Sequence, residues 1–293
     1  MEQLFIETEV EIENVVAFSQ FIINNKLVTI IGELHDKKFK CKNNPITLET
    51  YVENRLITND KSCICLEFNK DTDKIAELGS LNLKKIVKVL KKNDIHIPKK
   101  KEENIKRIKS MDYRDYFFNS YNLYADDKYF LKLSSDRIIK EFIEPYFKIK
   151  KEFMSNGDFL KGIINYKKGS DIIIDKGVLE YLENVYIPSI EKDFDAIALM
   201  IHEKSYLSSR QLLMMIRTVW AKVADFYIIL EMFNQGNKEC NELIILFGNV
   251  HYYNLLKVLR YFNIDPKTEQ EKLKEKCIKT KIFIPVLKNI KKK

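Results

Sequence analysis

His35 and His251 each close a four-residue G-x-x-H motif, G-E-L-H at Gly32–His35 and G-N-V-H at Gly248–His251. The chain holds 8 Gly and 4 His in 293 residues, so chance supplies about a tenth of one such motif. Both motifs follow an apolar run, L-V-T-I-I before the first and L-I-I-L-F before the second. A histidine just past the C-terminal end of a parallel strand stands where α/β proteins bind ligands and place reacting groups. Glu67 closes a third apolar run, S-C-I-C-L-E-F. A carboxylate there is costly to bury unless it is paired, hydrogen-bonded or metal-bound. Two imidazoles and a carboxylate at neighbouring strand ends suit two chemistries. His35, Glu67 and His251 can hold a divalent metal that activates water. Without metal, one histidine can deprotonate water while Glu67 orients it and Arg217 or Arg114 steadies the oxyanion.

Other polar groups gather near these. Glu33 and Asp36 add carboxylates beside the first motif, and M-D-Y-R brings Asp112 and Arg114 to the end of a short strand, where a purely structural ion pair is the competing reading. Arg217 is flanked at helical spacing by Leu213, Met214, Trp220, Ala221 and Ala224. A guanidinium on so apolar a face either snorkels or is buried against a carboxylate or anion. His96 and His202 fit a surface loop and a helix. No G-x-S-x-G, H-E-x-x-H or P-loop pattern occurs, which leaves serine-hydrolase, thermolysin-type and nucleotide-kinase chemistry without support.

The elements that must carry these residues follow from hydrophobic patterning. Residues 10–24 read as an amphipathic helix leading into a first strand at 27–31, which is nearly continuous in apolar and β-branched residues, as a strand covered on both faces would be. Asn44-Pro45 reads as the start of a helix running to about residue 58. Strands are expected at 62–68, 108–113 and 242–247. The longest helix spans 209–233, capped by Ser208 or Ser209 and followed by Gly236. His251 falls in the first turn of the helix after the last core strand, where the helix dipole favours neutral imidazole. Residues 281–287 can add an edge strand. The expected architecture is a single α/β domain over 1–293: a central, mostly parallel sheet flanked by helices, a helical insertion at about 115–236, and a basic tail at about 288–293.

Composition narrows the classes. With 45% hydrophobic and 31% charged residues the chain can bury a sizeable core and is not a disordered polymer. Residues 84–109 carry a net +8 and residues 266–293 a net +7, so an overall +8 leaves −7 on the remainder. Such patches can meet nucleic acid or an anionic surface, although Lys far outnumbers Arg and few aromatics interleave, as in ordinary solvated faces. Five cysteines fit no zinc spacing, and the expectation is reduced thiols buried as small hydrophobes. The N-terminus is too acidic for a signal peptide and no uncharged apolar stretch of about 18 residues occurs. A cytoplasmic, membrane-free protein is therefore expected. The abundance of Lys, Ile and Asn points to an AT-rich genome.

Taken together, the paired G-x-x-H motifs, the intervening strand-borne Glu67 and the helical I-R-T-V-W-A at 216–221 resemble the Tiki/TraB superfamily, which includes erythromycin esterases and haem-binding ChaN-like proteins. The resemblance covers 28–36, 63–68, 215–221 and 243–252. It implies an erythromycin-esterase- or ChaN-like α/β core in which His35, Glu67, His251 and Arg217 converge on one pocket. Thr218 stands where the family usually has Asn. Activities within the family include metal-dependent proteolysis, metal-independent ester hydrolysis and haem binding. The leading expectation is thus a hydrolase using a divalent metal such as Mn, Co or Zn on a peptide or small-molecule ester. The alternatives are a non-catalytic protein that binds haem or another ligand, with the two His and Tyr252 as candidate iron ligands, and a nucleic-acid-associated protein using its Lys-rich patches.

Overall fold

The computed structural model describes residues 5–33, 41, 45–67, 81–92, 107–110, 134–138, 140, 144, 173–203, 209–236, 240–271 and 277–285. The chain divides into two compact units, one formed by 1–111 with 238–293 and the other by 112–237.

The first unit is mixed α/β. Its larger sheet has six strands in the order β6-β5-β7-β3-β2-β8. These are β2 (Val15–Ile23), β3 (Lys26–Glu33), β5 (Ser62–Leu66), β6 (Ile108–Ser110), β7 (Glu242–Gly248) and β8 (Thr268–Glu271). The pairings β6–β5, β5–β7 and β7–β3 are parallel, whereas β3–β2 and β2–β8 are antiparallel. A smaller sheet pairs β1 (Phe5–Glu13) antiparallel with β9 (Cys277–Pro285) and parallel with the two-residue β4 (Ile46–Thr47).

The larger sheet is covered on both faces, which is why its central strands read as unbroken apolar runs. Ile31 of β3, Ile64 and Leu66 of β5 and Ile244 and Leu246 of β7 pack with α1 (Leu48–Thr58) and α2 (Leu81–Lys92) through Tyr51, Val52, Leu56, Leu83, Ile86 and Leu90. Alternation along the strands turns Gly32, Glu67 and Phe247 to the opposite face. That face carries α7 (Asn249–Tyr261), whose Tyr252 Oη lies 2.5 Å from Ser19 Oγ of β2.

Four local expectations change. Residues 10–24 form β1 and β2 instead of a helix. Asn14, at φ 63°, ends one strand before the next begins. Asn24 and Asn25, at φ 51° and 62°, form the two-residue turn that closes β2 on β3 with Ile23 opposite Lys26; positive φ at both positions is what a type I′ hairpin demands. The helix expected from Asn44-Pro45 starts later, because Thr47 is its N-cap and accepts from Thr50 N at 3.1 Å. The strand expected at 281–287 is the longer β9, and it lies in the smaller sheet with β1. Finally, the thiols expected to be free are largely joined, Cys41 to Cys277 and Cys63 to Cys240, with Cα separations of 5.9 and 5.8 Å. Cys65 is buried and takes part in neither disulfide.

At the opposite end of the sheet from the G-x-x-H motifs, Glu242 opens β7 fully buried. Its Oε1 accepts from Arg55 Nε at 2.9 Å and Arg55 Nη2 at 2.7 Å, and its Oε2 from Asn59 Nδ2 at 3.2 Å and from Ser62 Oγ. Arg107 donates to the Ser62 and Asn59 carbonyls, at 3.0 and 2.9 Å, and to that of Leu56, supplying donors to the carbonyls that end α1.

The second unit is helical where described: α3 (Ser135–Ile138), α4 (Lys176–Tyr181), a π-helical turn (Leu182–Tyr186), α5 (Ile187–His202) and α6 (Ser209–Phe233). Asp175 caps α4 through Gly177 N at 2.8 Å. Tyr186 Oη donates to the Lys222 carbonyl at 3.0 Å, and Lys222 Nζ meets Asp193 Oδ2 at 2.5 Å, which ties α6 to the segment before it. Among the described residues no helix is long and apolar enough to cross a membrane.

Candidate functional site

Register brings the two G-x-x-H motifs together. β3 and β7 are parallel neighbours with Gly32 opposite Phe247 and Glu33 opposite Gly248, and β5 runs on the other side of β7 with Leu66 opposite Leu246. Three strands therefore end at one edge, carrying Glu33, Gly248 and, one residue beyond β5, Glu67. Gly248 is the N-cap of α7, so Asn249 opens the helix and His251 occupies its first turn. The C-terminal edge of parallel strands is where such sheets collect their chemistry.

The contact between the motifs is close. A Cβ on Gly32 would stand 2.8 Å from Asn249 Oδ1, 3.1 Å from Ala17 Cβ and 3.3 Å from Tyr252 Cβ. Gly32 thus has no room for a side chain because the second motif's helix is packed against it. Gly32→Ala is expected to push α7 outward and cost about 1–3 kcal/mol. Urea denaturation checks it, with Gly177→Ala as the comparison, since the neighbour there is only Asp175 Oδ1 at 3.1 Å.

His251 is 8% exposed, its ring 5.1 Å from that of Phe247 at an interplanar angle of 58°. Its Nε2 lies 3.8 Å from Glu67 Oε1, and the two side chains are 10% and 22% exposed. At that distance the pair is not hydrogen-bonded. Two ligand atoms on one tetrahedral zinc with bonds of about 2.1 Å would be about 3.4 Å apart, so the spacing suits a shared cation with little movement. It equally suits a water or substrate hydroxyl bridging base and orienting group.

Glu33 is buried, but alternation places it on the α1–α2 face with Thr29 and Ile31, away from the face of Glu67 and His251. Tyr252 is turned to β2, where burial pushes its phenol well above the usual range and the Ser19 hydrogen bond offsets part of that. Its hydroxyl is committed to the fold, which weakens it as an iron ligand. Arg217 lies on α6, in the second unit, with its side chain outside the described part; His35, Asp36, His96, Asp112 and Arg114, and the side chain of His202, also lie outside it. Thr218 Oγ1 donates to the Met214 carbonyl at 3.0 Å, so its hydroxyl is used within the helix.

Sequence reading missed Asn249 as a participant. It sits inside the second motif, and its buried Oδ1, beside Gly32, has no hydrogen-bond partner among the described residues. The described cations of the two basic segments are partly occupied within the fold: Lys85 with Glu49 at 2.7 Å, Lys281 with Glu7 at 2.7 Å, Lys279 with Glu9 at 2.5 Å, and Arg107 with carbonyls. Compared with protein-family models, curated proteins and solved structures, the chain gives no match.

Proposed function

We propose that the chain is a hydrolase that activates water at the edge formed by the two G-x-x-H motifs and cleaves a peptide or ester-like bond. The observation that carries this reading is the Glu67–His251 pair: a carboxylate and an imidazole from different elements, 3.8 Å apart, at the C-terminal edge of parallel strands. The resemblance of the motifs to those of the Tiki/TraB superfamily supports it.

The donor set fits a divalent metal. Glu67 and His251 would hold it, with His35 as the third ligand the first motif offers, and the ion would supply a bound water acidified to near-neutral pH. The chain's own residues have definite tasks. His251, fixed by its place in the first turn of α7 and by Phe247, presents Nε2 toward Glu67. Glu67 orients the water, and without metal His251 accepts its proton. The missing side chain at Gly32 lets α7 approach β3 closely, so that the imidazole and the carboxylate keep their separation.

The test is metal binding by the disulfide-bonded protein. Zn, Mn or Co at about 100 times the Kd stabilises a folded chain by about 2.7 kcal/mol, read as a rise in Tm of several degrees. His251→Gln should remove that rise. A wild-type Tm indifferent to all three ions would end the metal-dependent reading. A haem titration that yields a Soret band, in a protein that cleaves neither chromogenic esters nor peptides, would replace hydrolysis with ligand binding.

A further inference from the structure

A second cluster of potential ligands lies in the smaller sheet and shares no residue with the Glu67–His251 pair. Glu11 stands on β1 and Cys277 opens β9. The antiparallel register sets Glu13 opposite Cys277 and Glu11 opposite Lys279, so Glu11 and Cys277 share one face of the ladder. Cys41 joins Cys277 from the segment between β3 and β4. One carboxylate oxygen and the two sulfurs all lie within 4.8 Å of one another, and each residue is half-buried. Among the described residues no other three His, Cys, Asp or Glu side chains are gathered in this way.

The geometry points to a redox-gated zinc site: with the Cys41–Cys277 disulfide reduced, the two thiolates and the Glu11 carboxylate bind Zn²⁺. While the disulfide stands, its sulfurs are poor ligands, since thiolate is the form that binds metal. A dithiol reductant transfers two electrons to the S–S bond, becomes a disulfide itself and leaves two Cys thiols. Zinc then displaces one proton from each. Two sulfurs and one oxygen make a soft donor set suited to zinc over magnesium or calcium, and water completes a tetrahedron with bonds of about 2.0–2.3 Å. Its ligand atoms would be about 3.3–3.8 Å apart, so the three side chains need only rotate. β1 and β9, paired over nine positions, hold two of the ligands in place. Lys279, opposite Glu11 on the ladder, is engaged with Glu9 at 2.5 Å. The site is independent of the proposed hydrolase centre and of whether that centre binds metal.

The experiment compares the full chain oxidised and after reduction by a phosphine that is then removed without oxygen, titrating each with Zn²⁺ and Co²⁺. The reduced form is expected to take up one more zinc per chain, and its cobalt form to show a thiolate-to-metal charge-transfer band that a His/Glu centre cannot give. Cys41→Ser with Cys277→Ser should abolish the band, while Cys63→Ser with Cys240→Ser keeps it. Glu11→Gln, which leaves the disulfide and core intact, should weaken zinc binding by about tenfold or more and decides the matter if the serine variants do not fold. Equal zinc uptake by both redox forms, a band that survives loss of Cys41 and Cys277, or unchanged affinity in Glu11→Gln would each overturn the assignment.

Discussion

Replacing Glu242 with Ala is expected to cost about 3–5 kcal/mol of folding stability, a large share of the about 5–15 kcal/mol a domain has to lose. Glu242 is fully buried and receives Arg55, Asn59 and Ser62. Removing the carboxylate leaves the Arg55 guanidinium, itself 5% exposed, buried without the group that neutralises it. The cost comes from that stranded charge more than from the lost attraction, because an ion pair taken out of water barely recovers its own desolvation. Arg55→Leu should therefore be comparably damaging, while Arg55→Leu with Glu242→Ala should cost less than the two singles added together. Urea denaturation measures all three. A loss below about 1 kcal/mol for Glu242→Ala would mean that water reaches Arg55 and that the pair is not sealed in the core.

The second large effect concerns the site. His251→Gln and Glu67→Gln are each expected to lower hydrolysis by about 10²–10⁴-fold, measured on any chromogenic ester or peptide that the wild type turns over. Gln is chosen over Ala at 251 because the ring fills space against Phe247, and a smaller side chain would confuse a lost base with a cavity. Groups that act as a unit are not additive, so the double variant should be little slower than the slower single. Full activity in His251→Gln, or two independent losses that multiply, would dissolve the pair as a catalytic unit.

What could be read from the sequence follows from how strongly each segment is determined locally. β3, β5 and β7 are legible because a strand covered on both faces must be continuously apolar, and α6 because 25 residues hold a helical pattern between a serine and a glycine. Glu67 and His251 could be paired for the same reason, since a polar residue ending such a run has few places to go. Residues 10–24 read as a helix because Ile12, Val15 and Val16, at i, i+3 and i+4, also satisfy helical spacing. The correcting signal was present in Asn24-Asn25, a turn between two β-branched runs. Tertiary facts left no local trace: that Gly32 is kept small by Asn249, that Arg55 meets Glu242, and that Cys63 joins Cys240 rather than Cys65. Each depends on register between segments far apart in the chain, which composition and periodicity do not encode.

The placement of β7 also bears on how the protein is made. β5 ends at Leu66, yet its partner on one side begins only at Glu242, and that same strand separates β5 from β3. At about 5–20 residues per second the ribosome takes on the order of ten seconds or more to deliver it. Throughout that interval neither strand can close the parallel edge meant for β7, and both edges can recruit a neighbouring chain. Stalling or truncation before Glu242 should therefore yield aggregates rather than a smaller soluble fragment, and the nascent chain should need a holding chaperone until its central strand arrives.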